Sequence, residues 1–209
     1  MTQAREALSG RWGLAVGTFL VYTLIVALLS SYSSLFIRIS DIGDISRTGY
    51  VITISSSILL LLIIGALEFG AATFALAIAR KKEAKLNMIF CGFNHYGKTL
   101  GLCLLMALFV FLWMLLLIIP GIIAALSYSM AYFIMSDDPN IGVMEAIDKS
   151  KKMMYGYKWK YFCLGLRFIG WMILGILSLG IGLLWIIPYI YISYAKFYED
   201  LKANSVEVQ

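Results

Sequence analysis

The sequence is poor in charge. Of 209 residues only 14% are Asp, Glu, Lys or Arg, against about 25% in a typical soluble domain, while 61% are hydrophobic. The missing charge excludes a disordered chain, and it leaves too little polar surface to coat a globule whose apolar residues come in long uninterrupted blocks. Histidine is almost absent: His95 is the single copy, so histidine-based metal clusters and an HExxH zinc site are excluded, and a Ser/His/Asp triad would have to be built around that one residue. There are three cysteines, Cys91, Cys103 and Cys163, an odd number without CxxC or Cys/His spacing, which excludes a disulfide scaffold and marks them as small apolar-block residues. No GxSxG, no phosphate-binding loop and no dinucleotide fingerprint is present. The sequence therefore predicts neither an enzyme nor a bound cofactor.

What is present is hydrophobic length. A helix rises about 1.5 Å per residue, so a hydrocarbon core near 30 Å needs about 20 apolar residues. Six segments approach this, at about 13–37, 51–79, 97–119, 122–136, 161–177 and 182–198. The expectation is an all-α, polytopic transmembrane bundle forming a single integral membrane domain over 1–209. The first apolar run is longer than a signal-peptide core and lacks a small-x-small cleavage site, so it reads as the first span. The fourth segment is short, and a re-entrant path for it stays open beside a full crossing.

The basic residues test that layout. With six spans and the N-terminus inside, fourteen Lys and Arg fall on inner segments, Arg38 and Arg47 lie outside, and Arg167 lies within the fifth span. This positive-inside bias places both termini in the cytoplasm and assigns the net charge of +5 to orientation rather than to nucleic acid. Two amphipathic segments, about 86–96 and 139–157, are expected on the inner face. In the second, Pro139 is read as opening a helix after Asp137 and Asp138. Val143, Met144, Ile147, Met153 and Met154 are read on one face, with Lys149, Lys151 and Lys152 elsewhere to meet anionic lipid headgroups. An ordinary solvated connector is the alternative.

Two stretches resemble each other, 115–133 and 183–197, each with Ile-Ile-Pro followed by Ser and Tyr about two turns later. They suggest a repeated two-helix hairpin, against chance likeness between apolar segments. Pro120-Gly121 and Pro188-Tyr189 are read as turns or kinks on the outer side. Gly13-x-x-x-Gly17 and Gly97-x-x-x-Gly101 offer close helix approach. Trp12, Trp159, Tyr157 and Tyr161, beside basic residues, are read as interfacial anchors.

Glu68 is the most informative single residue. It lies about 18 Å along the second span from Arg80, near the bilayer middle, or nearer an interface if that helix starts deeper. A carboxylate at mid-depth costs about 2.5–3.5 kcal/mol on insertion scales, which the apolar run 59–64 offsets. Three readings compete for it: a protonated hydrogen-bonding group, an ion pair with Arg167, and a proton or substrate site. Arg167 itself either snorkels to the inner headgroups or pairs with Glu68.

Several short motifs recur in an order that resembles a known family. They include Glu68-Phe-Gly70, Phe90-Cys-Gly-Phe93, Leu116-Leu-Ile-Ile-Pro-Gly-Ile122, Ala125-Leu-Ser-Tyr-Ser-Met130, Asp138-Pro139, Ser150-Lys-Lys-Met-Met154, Lys158-Trp159, Phe168-Ile-Gly-Trp171 and Ile187-Pro-Tyr189. Over about 60–201 the chain resembles the bacterial integral membrane proteins grouped as domain of unknown function 975. The resemblance implies a six-helix protein of the bacterial cytoplasmic membrane and supplies no activity. The functional expectation is a non-enzymatic membrane protein acting through lipid or protein contacts, with membrane lipids as partners and a second copy of the chain or another membrane protein left open. The alternative is a small transporter or permease component using Glu68 as binding or coupling group.

Overall fold

The computed structural model describes residues 2–40, 47–178 and 180–206. The described residues form nine α-helices and one 3-10 helix, with no strand among them. In order these are α1 (Thr2–Leu8), α2 (Trp12–Ser40), α3 (Arg47–Ala79), the 3-10 helix (Leu86–His95), α4 (Tyr96–Leu116), α5 (Ile118–Tyr128), α6 (Ala131–Asp137), α7 (Val143–Met153), α8 (Lys158–Leu177) and α9 (Leu183–Val206). The expected all-α bundle is what forms. Much of the loop read between the first two spans falls on 41–46, outside the described residues.

Among the described residues, five stretches are long and apolar enough to cross a membrane: Trp12–Ser31, Leu59–Ala79, Leu86–Leu116, Ile118–Asp137 and Lys158–Leu177. The sixth expected span lies within α9, where Lys196, Glu199, Asp200 and Lys202 crowd the second half and dilute the apolar run.

The molecule has two ends. We call the end carrying α1, α6, α7 and the second half of α9 basal, and the end carrying the α4–α5 and α8–α9 turns apical. In the basal half, α3 is enclosed: Leu67, Phe74, Leu76 and Ile78 are buried, packed among α2, the 3-10 helix, α6 and α9. In the apical half the same residue types face outward. Leu115, Ile119 and Leu177 are 74%, 72% and 74% exposed.

Close packing of the basal half is set by glycines. A Cβ on Gly70 would lie 1.9 Å from the Ile89 carbonyl oxygen, and one on Gly92 would lie 2.1 Å from that of Ala66. The 3-10 helix and α3 thus meet backbone to backbone at two points. The three-residue turn makes this possible, because positions i and i+3 eclipse and put Ile89 and Gly92 on one face. The same period stacks Phe90 on Phe93 and Phe93 on Tyr96, with centroids 6.5 and 6.3 Å apart, into an exposed aromatic ladder. The amphipathic inner segment expected at 86–96 is a helix of period three, and it runs directly into α4. The Gly-x-x-x-Gly pairs singled out in the sequence do not make such contacts: nothing lies within 4 Å of a Cβ at Gly13, Gly17 or Gly97, and at Gly101 only the Val143 side chain does.

Pro120 and Pro188 lie beside the apical turns rather than in them. The α4–α5 turn is made by Leu117 in an extended conformation, and Pro120 sits in the first turn of α5, where its missing N–H has no helical partner to lose. Gly121 then lets α5 close on Met114 of α4. Pro188 lies inside α9, while the α8–α9 turn is made around Gly180 at φ 84°.

The basal end of α3 closes with Lys81 in the left-handed region, φ 57°. The Lys82 amide donates to the Ala77 carbonyl and the Lys81 amide to that of Ile78, the bonding pattern that usually selects glycine at this position. The Arg11 guanidinium donates to the Lys82 and Lys81 carbonyl oxygens at 2.5 and 3.2 Å.

Candidate functional site

Three polar constellations stand out, one near the boundary between the halves and two in the basal half. The first surrounds Glu68 on α3. Tyr22 of α2 donates to Glu68 Oε1 at 2.7 Å, and Tyr191 of α9 reaches Oε1 and Oε2 at 3.2 and 3.3 Å. The two phenol oxygens are themselves 3.3 Å apart. Phe19 walls the group, with its ring 4.8 Å from that of Tyr191 and edge-on to Tyr22 and Phe74.

Counting protons shows what this arrangement can do. An ionised carboxylate accepts one bond from each phenol. A neutral carboxyl instead closes a ring, Glu68 to Tyr191, Tyr191 to Tyr22, Tyr22 to Glu68, in which every oxygen-bound proton is donated once. The triad therefore accommodates either protonation state with little movement.

Arg167 lies elsewhere. It is on the exposed face of α8, between exposed Leu166 and buried Phe168, and α8 packs chiefly on α9 and α5. The hydrogen-bond partners of Glu68 are two phenols rather than this guanidinium. Neither tyrosine was singled out in the sequence, where they are two of thirteen.

The second constellation ties three helix ends together. Arg80, just past α3, contacts Asp137 Oδ1 of α6 at 2.6 Å and Glu199 Oε1 of α9 at 2.7 Å. Lys202 Nζ contacts Asp137 Oδ2 at 2.6 Å, and the Tyr198 hydroxyl donates to the same oxygen at 2.9 Å. Burial by itself lowers the Arg80 pKa, but its hydrogen bonds to Glu199 and Asp137 outweigh that and hold it above its ordinary value. This use of Asp137 corrects its expected role: α7 begins after Gly142 without a side-chain cap, and Asp138 accepts from the Asn140 amide in the preceding turn.

The third constellation sits at the break between α5 and α6. Ser150 of α7 donates to the Ser127 carbonyl at 2.7 Å and accepts from the Met130 amide at 3.2 Å, supplying both groups with a partner where the helix ladder is interrupted. On α7, Ala146, Ile147 and Ser150 are buried, with Met154 just past its end, while Glu145, Asp148, Lys149, Lys151 and Lys152 face out. Met144, expected on the apolar face, is half exposed. Lys98 anchors the start of this segment by donating to the Pro139 carbonyl at 2.7 Å.

Of the expected anchors, Trp159 is exposed and stacks on Phe162, and Lys160 lies over the Tyr157 ring at 5.2 Å. Tyr161 packs inward instead, 4.9 Å from the Tyr194 ring.

Together these features define an all-helical protein with several helices apolar enough for a membrane and a compact, polar-capped base. The chain belongs to the family described as "Protein of unknown function (DUF975)", matched over residues 1–123 and again over 114–205. The match reaches the N-terminal helices that the resemblance in the sequence left out. No curated protein and no solved structure matches the chain.

Proposed function

We propose that this is a non-enzymatic membrane protein that works through lipid contacts, its base in the cytoplasm against anionic headgroups and its apical helices in hydrocarbon. One observation carries the reading: the exposed surface is divided by chemistry. Apical α4, α5 and α8 present leucine, isoleucine and phenylalanine without a charge over 99–136 and 168–195. Around the base, α7 presents Lys149, Lys151 and Lys152, followed by Trp159 and Lys160 at the start of α8. Lysines over an apolar edge are what an anionic leaflet attracts, each adding about 1 kcal/mol near the surface. The ladder of Phe90, Phe93 and Tyr96 supplies the amphipathic rings that favour a headgroup boundary.

The test is native mass spectrometry of protein released from nanodiscs holding equal phosphatidylglycerol and phosphatidylcholine. Wild type is expected to retain the anionic lipid preferentially, and a triple Lys149, Lys151, Lys152→Gln variant to lose that preference. Equal retention of both lipids by wild type would sink the headgroup reading. The subunit count from the same spectra tests a partner copy of the chain.

A second reading, a transporter or permease component, has its own observation in the Tyr22–Glu68–Tyr191 ring, which takes either protonation state. It predicts a discrete bound species in wild type that Glu68→Gln loses while remaining folded. If both proteins carry only mixed lipid, this reading fails.

A further inference from the structure

The hairpins of the apical half are unequal in height. The triad supplies a common level, because Tyr22, Glu68 and Tyr191 touch across three helices. From it, α2 continues to Ser40, a rise of about 27 Å, and α3 runs back to Arg47, about 32 Å. Either matches a hydrocarbon core near 30 Å. α9 behaves otherwise: from Tyr191 back to its start at Leu183 it rises only about 12 Å. α5 agrees, since Leu126 lines one groove with Tyr161, whose ring lies against Tyr194 one turn basal of Tyr191. From Leu126 to Ile118 is about 12 Å. Tilt only reduces these values.

The level itself is near the base. Ser150 of lysine-bearing α7 bonds Ser127, beside that same Leu126, so the exposed Lys149, Lys151 and Lys152 lie close to the triad's depth. Charged headgroups at that depth leave most of the bilayer apical of Glu68, and the short hairpins cannot span it.

The α8–α9 turn carries an independent mark. A turn in water can leave amides to solvent, whereas one in hydrocarbon must satisfy them internally. In the α8–α9 turn the amides of Gly180, Ile181 and Leu183 bond to the carbonyls of Gly175, Ser178 and Gly180, and the Gly182 amide bonds to Ser178 Oγ at 2.9 Å. The Ser178 hydroxyl proton goes to the Gly175 carbonyl. In the α4–α5 turn the Leu117 and Gly121 amides bond to the carbonyls of Trp113 and Leu117, Pro120 has no amide N–H, and the amides of Ile118 and Ile119 make no such bond, so this turn is marked by its side chains instead. The side chains there, from Leu115 to Ile119, are all more than 60% exposed and all aliphatic.

We propose that α4–α5 and α8–α9 are re-entrant hairpins whose turns end within the hydrocarbon, so that α2–α3 alone crosses and the apolar surface of the chain is fitted to acyl chains of the cytoplasmic leaflet. The chain is then a wedge, three hairpins wide in one leaflet and one hairpin wide in the other. Both re-entrant hairpins return to their starting side, so the distribution of basic residues is unchanged. The proposal rests on the membrane reading above.

The test uses an impermeant maleimide on intact cells expressing Asp44→Cys, Leu117→Cys or Ile181→Cys in a chain whose Cys91, Cys103 and Cys163 are replaced by alanine. Labelling of Asp44→Cys is expected, with Leu117→Cys and Ile181→Cys labelled only after detergent. Failure to label Asp44→Cys in cells, with labelling after detergent, overturns the membrane reading and its orientation. Labelling of Asp44→Cys together with either turn cysteine overturns the re-entrant proposal alone. Depth is read separately by brominated lipids in a variant retaining Trp185 as its single tryptophan. Strongest quenching by bromine near the acyl chain ends is expected, and strongest quenching near the headgroup overturns the proposal.

Discussion

α3 passes through both halves of the molecule and shows how differently the same residue types are used. Near its middle Leu59 and Leu61 are 47% and 37% exposed, whereas Leu67 and Phe74, about two to four turns further, are sealed. Hydropathy does not explain the difference, since the exposed stretch is Leu and Ile throughout 59–64 while the sealed one carries Glu68 and Thr73. Small residues do: Gly65, Ala66, Gly70, Ala71, Ala72 and Ala75 let neighbouring backbones close around the basal part of α3. In lipid, where apolar side chains gain little by leaving their surroundings, such close van der Waals approach and buried polar contacts are what hold helices together. The apical helices lack that stripe and keep their surface for something other than the chain itself.

The largest expected effect sharpens this contrast directly. Phe74→Ala, deep in the base, is expected to lower stability by about 3–5 kcal/mol, as aromatic truncations in closed cores do. Leu115→Ala, mostly exposed, is expected to change it by less than about 0.5 kcal/mol. Denaturation in a mild detergent compares the two, and similar losses would break the two-zone description. Next comes Gly70→Ala, where a methyl group meets the Ile89 carbonyl and overpacking costs about 3 kcal/mol. Gly17→Ala, with open space around it, is expected to be neutral or to stabilise by up to about 1 kcal/mol through helix propensity. A larger loss at Gly17 than at Gly70 would return the packing role to the Gly-x-x-x-Gly motif.

Polar contacts in the base give smaller changes. Ser150→Ala strands the Met130 amide and a Ser127 carbonyl lone pair, at about 2 kcal/mol. Ser150→Thr, which keeps the hydroxyl, is expected to retain more of the stability, and an equal loss in both variants would move the cause from hydrogen bonding to shape. For Asp137→Asn we expect about 1 kcal/mol, because Arg80 keeps Glu199 and the cluster is partly open to solvent, so screening weakens it. That loss should shrink in 1 M salt, and a salt-independent loss would contradict an electrostatic origin.

How much of this was legible in the sequence follows from the range of each signal. Long apolar runs are local, so the helices and most of their bounds were readable. Glu68 was readable as an anomaly because a lone acid in an apolar run is also a local fact. Its partners were not, since Tyr22 and Tyr191 lie 46 and 123 residues away and look like any other membrane tyrosine. Asp137 was misassigned for a related reason: beside Pro139 it has the local look of a helix start, while its contacts to Arg80 and Lys202 depend on how α3, α6 and α9 end together. The 3-10 helix at 86–95 was read only as an amphipathic segment, though its ladder of Phe90, Phe93 and Tyr96 at spacing three was a usable sign of its period.

The smallest expected effect runs the other way and concerns the join between the halves' shared helix and the base. Lys81 closes α3 in a left-handed conformation that a side chain enters at a cost of about 1–2 kcal/mol and glycine enters freely. The strain is tolerated because Arg11 holds the Lys81 and Lys82 carbonyls and because the Lys82 amide completes the helix end on Ala77. Lys81→Gly keeps both of those interactions, which use only backbone atoms of residue 81. It is therefore expected to raise stability, by about 0.5 kcal/mol once the greater freedom of glycine in the unfolded chain is subtracted. In an Arg11→Ala background, where the clasp is gone, the same substitution should gain less, because the closure can then relax out of the strained conformation. A loss on Lys81→Gly in both backgrounds would mean that the lysine side chain makes a contribution of its own, as a headgroup contact at the basal rim would, and measuring the pair in anionic and in zwitterionic lipid separates that from backbone strain.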